Sequence, residues 1–568
     1  MTTLQRMVLS VKVAALLFLS ACSGAGEEAE PLLPAQADEA ASAAKAGSVQ
    51  LDTPAAVPQS DRISLRWTAS QDLVTFSVWL KATDAAPFRR IANGLRGPGA
   101  TVARGPAWKL DFPTARIRVQ GCTAHGRCTD SNAQSLLEVL LAGTVKLEPQ
   151  TQRPDRDKFG PVAVSDDGRT MAVSDQLDYP PVWEEGMTAV GSVSVFQLCD
   201  DGHWQRELYF LRPYTSLVGD RSNVVGTALA LSGDGNTLAI QVRESSGVSS
   251  LYMLARNAQH VWSEQALLEN GSGEFGGSTV LSFDGSRLAT SEVDGFVVFA
   301  RDGTQWRREV RFSSTGDWAH NIYSSTVAFS GNGKVLAVPG YSQPGRGEPK
   351  NGEGVFVFER SEAGEWVRTA EIRSPRPPGR YSQSFPRDLV LDHEGHTLVV
   401  GDVEDNTGAG ASRPDPQDQS APLSGAIHVY RKAGPAAWRL DAFLKSRTAL
   451  ASDLLGDDLS LSRDGRLISS SACGLAVGAP GVRRNHAPDA TVTRPPTYWC
   501  DRRANYVFER RESGTWAHAA TALTPAPARP NEGGGGEFTQ ARSGNGQTWV
   551  YTGILLGQQD RYGSAYVQ

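Results

Sequence analysis

Seven copies of one pattern, apolar-x-apolar-Ser/Asp-x-Asp/Asn-Gly-x-x-apolar-apolar, run through this chain as VAVSDDGRTMAV, LALSGDGNTLAI, TVLSFDGSRLAT, VAFSGNGKVLAV, LVLDHEGHTLVV, LSLSRDGRLISS and FTQARSGNGQTWVY. Their glycines are Gly168, Gly235, Gly285, Gly333, Gly395, Gly465 and Gly546. Asp-Gly or Asn-Gly between alternating apolar runs is the strongest short hairpin signal, because a tight primed turn needs positive φ, which Gly and Asx tolerate. Six copies place Asp or Asn before the glycine, and Glu394 is the exception.

After each hairpin comes a third apolar strand: GSVSVFQL, SSLYMLAR, GFVVFARD, GVFVFERS, AIHVYRKA, NYVFERRE and GSAYVQ. In the first six copies a polar turn follows, and then a tryptophan opens a fourth strand: Trp204, Trp262, Trp306, Trp366, Trp438 and Trp516. Four strands repeated seven times predict an all-β chain built as a seven-bladed β-propeller, which manages strand edges by radial repetition. The last copy lacks a fourth strand. Residues 142–150, AGTVKLEPQ, have the pattern of a fourth strand with no hairpin ahead of them, so they are expected to pair with SAYVQ and close the ring. An unpaired edge there would invite aggregation.

The repeats resemble the FG-GAP repeats of integrin α-subunit propellers, as found in bacterial surface lipoproteins, over residues 142–568. Fragments of the naming motif stand at Phe159-Gly160, Phe275-Gly276 and Gly478-Ala479-Pro480. Blades of that family bind calcium in the first turn through a D-x-D-x-D-G run. Here every such turn is short and carries at most two acids, whereas Ca²⁺ takes six to eight oxygens, so no calcium is expected there. Asp402, Glu404, Asp405 and Asn406 form the one acidic cluster with the composition of an ion site, against the plainer reading of a solvated loop. No cofactor is expected.

Ahead of the repeats, residues 61–141 alternate with period two between turns (ISLRWTAS, VTFSVWLKA, FRRIANGL, TARIRVQG), which predicts a small β-sandwich. In order and spacing it resembles a fibronectin type III domain with Trp67 as core tryptophan, although the tyrosine expected on the late strand is absent. Residues 23–60, rich in Ala, Glu and Pro, read as a flexible tether.

Residues 1–22 carry Arg6 and Lys12, an apolar run and then Leu19-Ser20-Ala21-Cys22, the composition of a secretion signal. The last four residues resemble a bacterial lipobox, which implies lipidation of Cys22 and an outer-membrane lipoprotein held by lipid alone, on the periplasmic side or at the cell surface. Export permits disulfides, so Cys122 with Cys128 and Cys473 with Cys500 are read as two staples, leaving Cys199 as a buried strand thiol. The formal net charge of −6 and the absence of basic tracts argue against nucleic acid.

In a four-stranded blade the connections between strands one and two and between three and four share one face; the others lie opposite. The first set is uniformly short. The long connections all fall in the second, and they carry Tyr179, Trp183, Tyr341, Arg346, Arg483, Arg484 and Trp499, aromatic and arginine side chains of the kind that anchor interfaces. The HEGH stretch from His393 to His396 occupies a hairpin slot, so its histidines read as turn residues rather than metal ligands. No nucleophile elbow, carboxylate pair or metal triad is evident. The expected function is adhesion or macromolecular recognition of a protein or glycan through the long-loop face; the alternative is a propeller hydrolase or lyase using the same face.

Overall fold

The computed structural model describes residues 47–56, 62–103, 110–111, 114–142, 145–147, 159–176, 191–200, 204–211, 224–243, 248–269, 275–292, 295–313, 326–342, 351–375, 385–447, 449–451, 453–473, 503–523, 539–546, 548–554 and 563–567. Strands dominate, joined by one short helix, Leu137–Ala142, among the described residues.

Seven four-stranded antiparallel sheets account for the repeats. Six follow chain order, from Phe159–Val164, Thr170–Asp175, Ser192–Leu198 and Trp204–Leu211 through to Asp457–Leu461, Leu467–Cys473, Arg503–Arg510 and Trp516–Leu523. The seventh takes Thr539–Arg542, Trp549–Ile554 and Gly563–Val567 from the end of the chain and Val145–Leu147 from ahead of the first sheet, in the register Val145↔Val567, Lys146↔Tyr566, Leu147↔Ala565. The closing strand therefore lies within the expected residues 142–150, and three of its described residues, Val145–Leu147, pair. The first strand of each sheet touches the first strand of the next, and that of the seventh touches that of the first. A ring of antiparallel sheets closed in this way is a β-propeller.

The hairpin turns differ from the primed turns expected. Each glycine amide donates to the carbonyl three residues back, as Gly168 does to Ser165 at 3.0 Å. Only the glycine of each motif has positive φ, between 61° and 72° across the seven copies. This is an ordinary four-residue turn followed by a left-handed residue, which glycine fills without steric penalty. The Ser and Asp are there for hydrogen bonding instead. In six copies the Ser Oγ donates to the Asp or Asn Oδ1 two residues on, at 2.5–2.8 Å. The same Oγ accepts the amide five residues on, at 2.9–3.0 Å. In the fifth copy Asp392 stands in for the serine, and its Oδ1 accepts the His396 amide at 2.7 Å.

Apolar faces pack sheet against sheet, as where Leu229, Leu238 and Ile240 of the second sheet meet Val193 and Val195 of the first. Two of the fourth-strand tryptophans, Trp262 and Trp366, have a polar task as well. Glu309, on the outer strand of the third sheet, accepts the Trp366 indole N–H at 3.2 Å and pairs with Arg360 at 2.9 Å, both from the fourth sheet, and with Arg287 of its own sheet at 3.1 Å. Glu207 repeats the arrangement between the first two sheets, with Trp262 at 3.1 Å and Arg256 at 3.0 Å.

The small domain has a four-stranded and a five-stranded sheet that share a core containing Trp67, Phe76, Val78, Ile117 and Val119. Trp67 is buried, with its ring 5.2 Å from Phe76. Two segments of the expected tether belong to this domain: Val49–Leu51 pairs with Trp67–Ala69, and Ala55–Ala56 pairs with Ile63–Ser64. Alternation too short to register as a period still fits a sheet edge when its partner supplies the hydrogen bonds. The helix Leu137–Ala142 spans the expected boundary at residue 141. Asp111, buried beneath the sixth sheet, ties the domains together: its Oδ1 accepts the Thr521 amide at 3.0 Å, and Arg447 lies 3.5 Å from its Oδ2.

Candidate functional site

Of the residues singled out on the long-loop face, Tyr179, Trp183, Arg346, Arg483, Arg484 and Trp499 lie outside the described residues, as does Cys22; Tyr341 is placed by its backbone only, in register with Glu353. Among the described residues that face includes the connection of the fifth sheet between Thr397–Asp402 and Ala426–Gly434.

The acidic cluster sits at the start of this loop, and a lysine already holds the place of an ion. The Lys445 ammonium, almost fully buried, donates to Asp405 Oδ1 at 2.8 Å, Ser424 Oγ at 2.7 Å and the Gly425 carbonyl at 2.6 Å. Burial pulls the Lys445 pKa down, and the Asp405 carboxylate opposes that pull. Asn406 is structural: its Oδ1 accepts the Leu423 amide at 2.7 Å, and its amide donates to Gln419 at 2.8 Å. Asp402 is buried with His428 Nε2 at 3.7 Å, and the described residues contain no group of three His, Cys, Asp or Glu placed to share a metal. The plainer reading of a solvated loop also needs correction, since Asp402 and Asp405 are interior residues and Asp405 braces the insertion through Thr407 and Lys445.

Cys122 and Cys128 are joined, with an S–S distance of 2.06 Å. Cys199 is disulfide-bonded too, not the leftover thiol expected. The expected Cys473–Cys500 pair lies outside the described side chains.

On the short-turn face the seven turns form a second closed ring. Backbone hydrogen bonds run Asp166 to Gly233, Asp234 to Phe283, Phe283 to Gly331, Asn332 to His393, His393 to Arg463, Arg463 to Gly544 and Asn545 to Asp166, all between 2.7 and 3.1 Å. The residue after each Ser or Asp of the motif consequently faces the axis. Three of these positions are glycine for want of room: a Cβ on Gly233 would lie 2.3 Å from the Phe283 ring, on Gly331 2.3 Å from His393 Nδ1, and on Gly544 2.4 Å from the Asp166 carboxyl carbon.

The other four side chains meet in the space the glycines leave. The Arg463 guanidinium lies 3.8 Å above the Phe283 ring, with Nη2 3.5 Å from His393 Nε2 and Nε 4.0 Å from Asp166 Oδ2. His393 meets Phe283 edge-on at 5.4 Å, and its buried Nδ1 has no hydrogen-bond partner. Burial pushes the Asp166 carboxyl up, while Arg463 and His393 hold it down. Beside the axis lies a cavity of about 550 Å³ lined by residues that include His393, Glu394, Arg463, Arg466, Glu509 and Asn545.

Sequence reasoning placed His393 in a turn and missed that the turns converge. The signal was present in the second position of the motif, where Gly233, Gly331 and Gly544 are interspersed with Asp166, Phe283, His393 and Arg463. Chemically the cluster offers an oriented cation, an imidazole and a carboxylate, with no nucleophile poised on the histidine. The six turn serines around it are committed to their own turns.

No known protein-family pattern and no curated protein matches this chain. Solved structures similar to it include a putative 6-phosphogluconolactonase from Bacteroides uniformis, at 10% identity and TM-score 0.38 over 80% of this chain and 98% of that one. Others are the WD40 domain of Toxoplasma gondii coronin, at 10% identity and TM-score 0.37 over 72% of this chain and 79% of that one, and Hsv2 of Kluyvelomyces marxianus, at 8% identity and TM-score 0.35 over 72% and 97%. The fold assignment rests on the strand pairing, not on these likenesses.

Proposed function

We propose that this chain is a lipid-anchored cell-envelope binding protein: a fibronectin type III-like sandwich followed by a seven-bladed FG-GAP-like propeller that recognises a protein or glycan through its long-loop face. The observation that carries this reading is the Lys445–Asp405 cage inside the loop of residues 403–425. Enclosing an ammonium and a carboxylate is costly unless every polar atom is satisfied, and here Ser424, Gly425 and Thr407 complete the set. An insertion held in one shape in this way presents a preformed surface, which lowers the ordering cost of binding. The strand order puts this loop at the end of the fifth sheet away from its hairpin turn.

The test measures binding of the full mature chain to arrayed envelope and host-surface glycans and to purified extracellular-matrix proteins. It is repeated with a variant in which residues 404–424 are replaced by a short Gly-Ser link. A ligand bound by the parent and lost by the loop variant supports the reading. No ligand in either set, or a ligand bound equally by both, overturns it.

A further inference from the structure

The axial cluster lies on the opposite face and is not used by that reading. Its polar groups are under-employed. Arg463 can donate five N–H groups, yet its guanidinium approaches only His393 at 3.5 Å and Asp166 at 4.0 Å among the described residues, while half of its side chain stays open to solvent. His393 has a buried, unpartnered Nδ1. Stacking on Phe283 fixes the plane of the guanidinium, so its free edge is presented in one orientation. The cavity beside it, about 550 Å³, falls in the range typical of small-molecule sites. Its walls carry both signs of charge. Arg463 and Arg466 share the lining with Glu394 and Glu509, both exposed, and Glu394 Oε2 also accepts from Asn332 Nδ2 at 3.3 Å. Asp464, also in the lining, is committed to its own turn through Ser462 at 2.6 Å and the Arg466 amide at 3.1 Å.

We propose that this cavity is a binding site for a small zwitterion, a free amino acid or short peptide, whose carboxylate sits on Arg463 and whose ammonium is taken by Glu394 and Glu509. A planar guanidinium matches a carboxylate with two parallel hydrogen bonds, which an ammonium cannot do. A simple anion would leave the two glutamates opposed to it. A simple cation would have to sit beside two arginines. Only a ligand carrying both charges meets both walls.

Isothermal titration of the full chain with a set of amino acids and dipeptides, and in parallel with propionate and propylamine as single-charge probes, decides this. Zwitterions are expected to bind, and each single-charge probe to bind at least about tenfold more weakly, since losing one charge-assisted pair is worth that factor or more. Arg463→Met should lower zwitterion affinity by about tenfold or more, and Arg463→Lys should recover only part of it. Glu509→Gln changes an exposed residue and leaves the turn ring intact, so it reports on the site even if the Arg463 variants fold poorly; it too should weaken zwitterions while leaving propionate unchanged or tighter. The proposal is overturned if no zwitterion binds at millimolar concentration, if propionate binds as well as the zwitterions, or if the Glu509→Gln protein binds them unchanged.

Discussion

Replacing Glu309 by Ala removes the acceptor that joins the third sheet to the fourth. Its side chain is only 10% exposed and receives Arg287 Nε at 3.1 Å, Arg360 Nε at 3.0 Å and Trp366 Nε1 at 3.2 Å. Truncation leaves two guanidinium groups, themselves 22% and 23% exposed, and an indole N–H without their partner. Breaking a buried ion pair from one side costs about 3–5 kcal/mol, because the remaining charge stays desolvated. Glu309→Gln keeps the shape and one acceptor, and should lose about half as much, within the 1.5–3 kcal/mol range of a charged hydrogen bond. Urea denaturation followed by tryptophan fluorescence at pH 7 measures both. A pH series adds the sign. Burial pushes the Glu309 pKa up, but the hydrogen bonds from Arg287, Trp366 and Arg360 outweigh it and hold the folded value below the ordinary 4.5. Its stabilising contribution is therefore complete above about 4.5 and is lost as pH falls through the folded pKa, so parent and Ala variant should converge in acid. A loss under about 1 kcal/mol at pH 7 would place Glu309 among ordinary surface ion pairs and refute the reasoning. A double-mutant cycle with Trp366→Phe should return a coupling energy, not simple additivity.

Ring closure by the strand Val145–Leu147 separates two truncations: one starting after Ala142 keeps the seventh sheet at four strands, and one starting after Leu147 leaves the outer edge of Gly563–Val567 without its partner strand. The longer deletion should cost a further ~2–4 kcal/mol from a few strand hydrogen bonds, and equal denaturation midpoints would mean the strand does not hold the ring. His518, beside the Asp111–Thr521 junction with Nε2 2.8 Å from Thr521 Oγ1, has its pKa lowered from 6.5 to about 4 by burial and by Arg447. The folded state keeps it neutral while the unfolded state takes up a proton, so stability is complete above pH 6.5 and falls as pH drops towards 4, by up to ~3 kcal/mol. His518→Gln should flatten that slope, and a slope unchanged in the variant would assign the acid sensitivity elsewhere.

The repeat pattern determined most of the architecture by itself. Alternating apolar residues fix which faces of a strand are buried, and seven hairpin motifs, six of them followed by a tryptophan-led fourth strand, fix how many sheets are formed and in what order, because these are local properties of period and turn. Trp67 and the Cys122–Cys128 pair were legible for the same reason: strand alternation buries one, and a short loop between the cysteines brings the other two together. The short strands Val49–Leu51 and Ala55–Ala56 were not, since three residues carry no readable period and owe their conformation to a partner strand. Nor could the sequence say that Lys445 takes the position of an ion between Asp405 and Ser424, forty and twenty-one residues away. The same limit hid the axial cluster. Asp166, Phe283, His393 and Arg463 are spread over almost three hundred residues and stand in turns whose local chemistry says nothing of what they face. Closing the ring supplies the axis, and the missing side chains of three glycines supply the room in which those four meet.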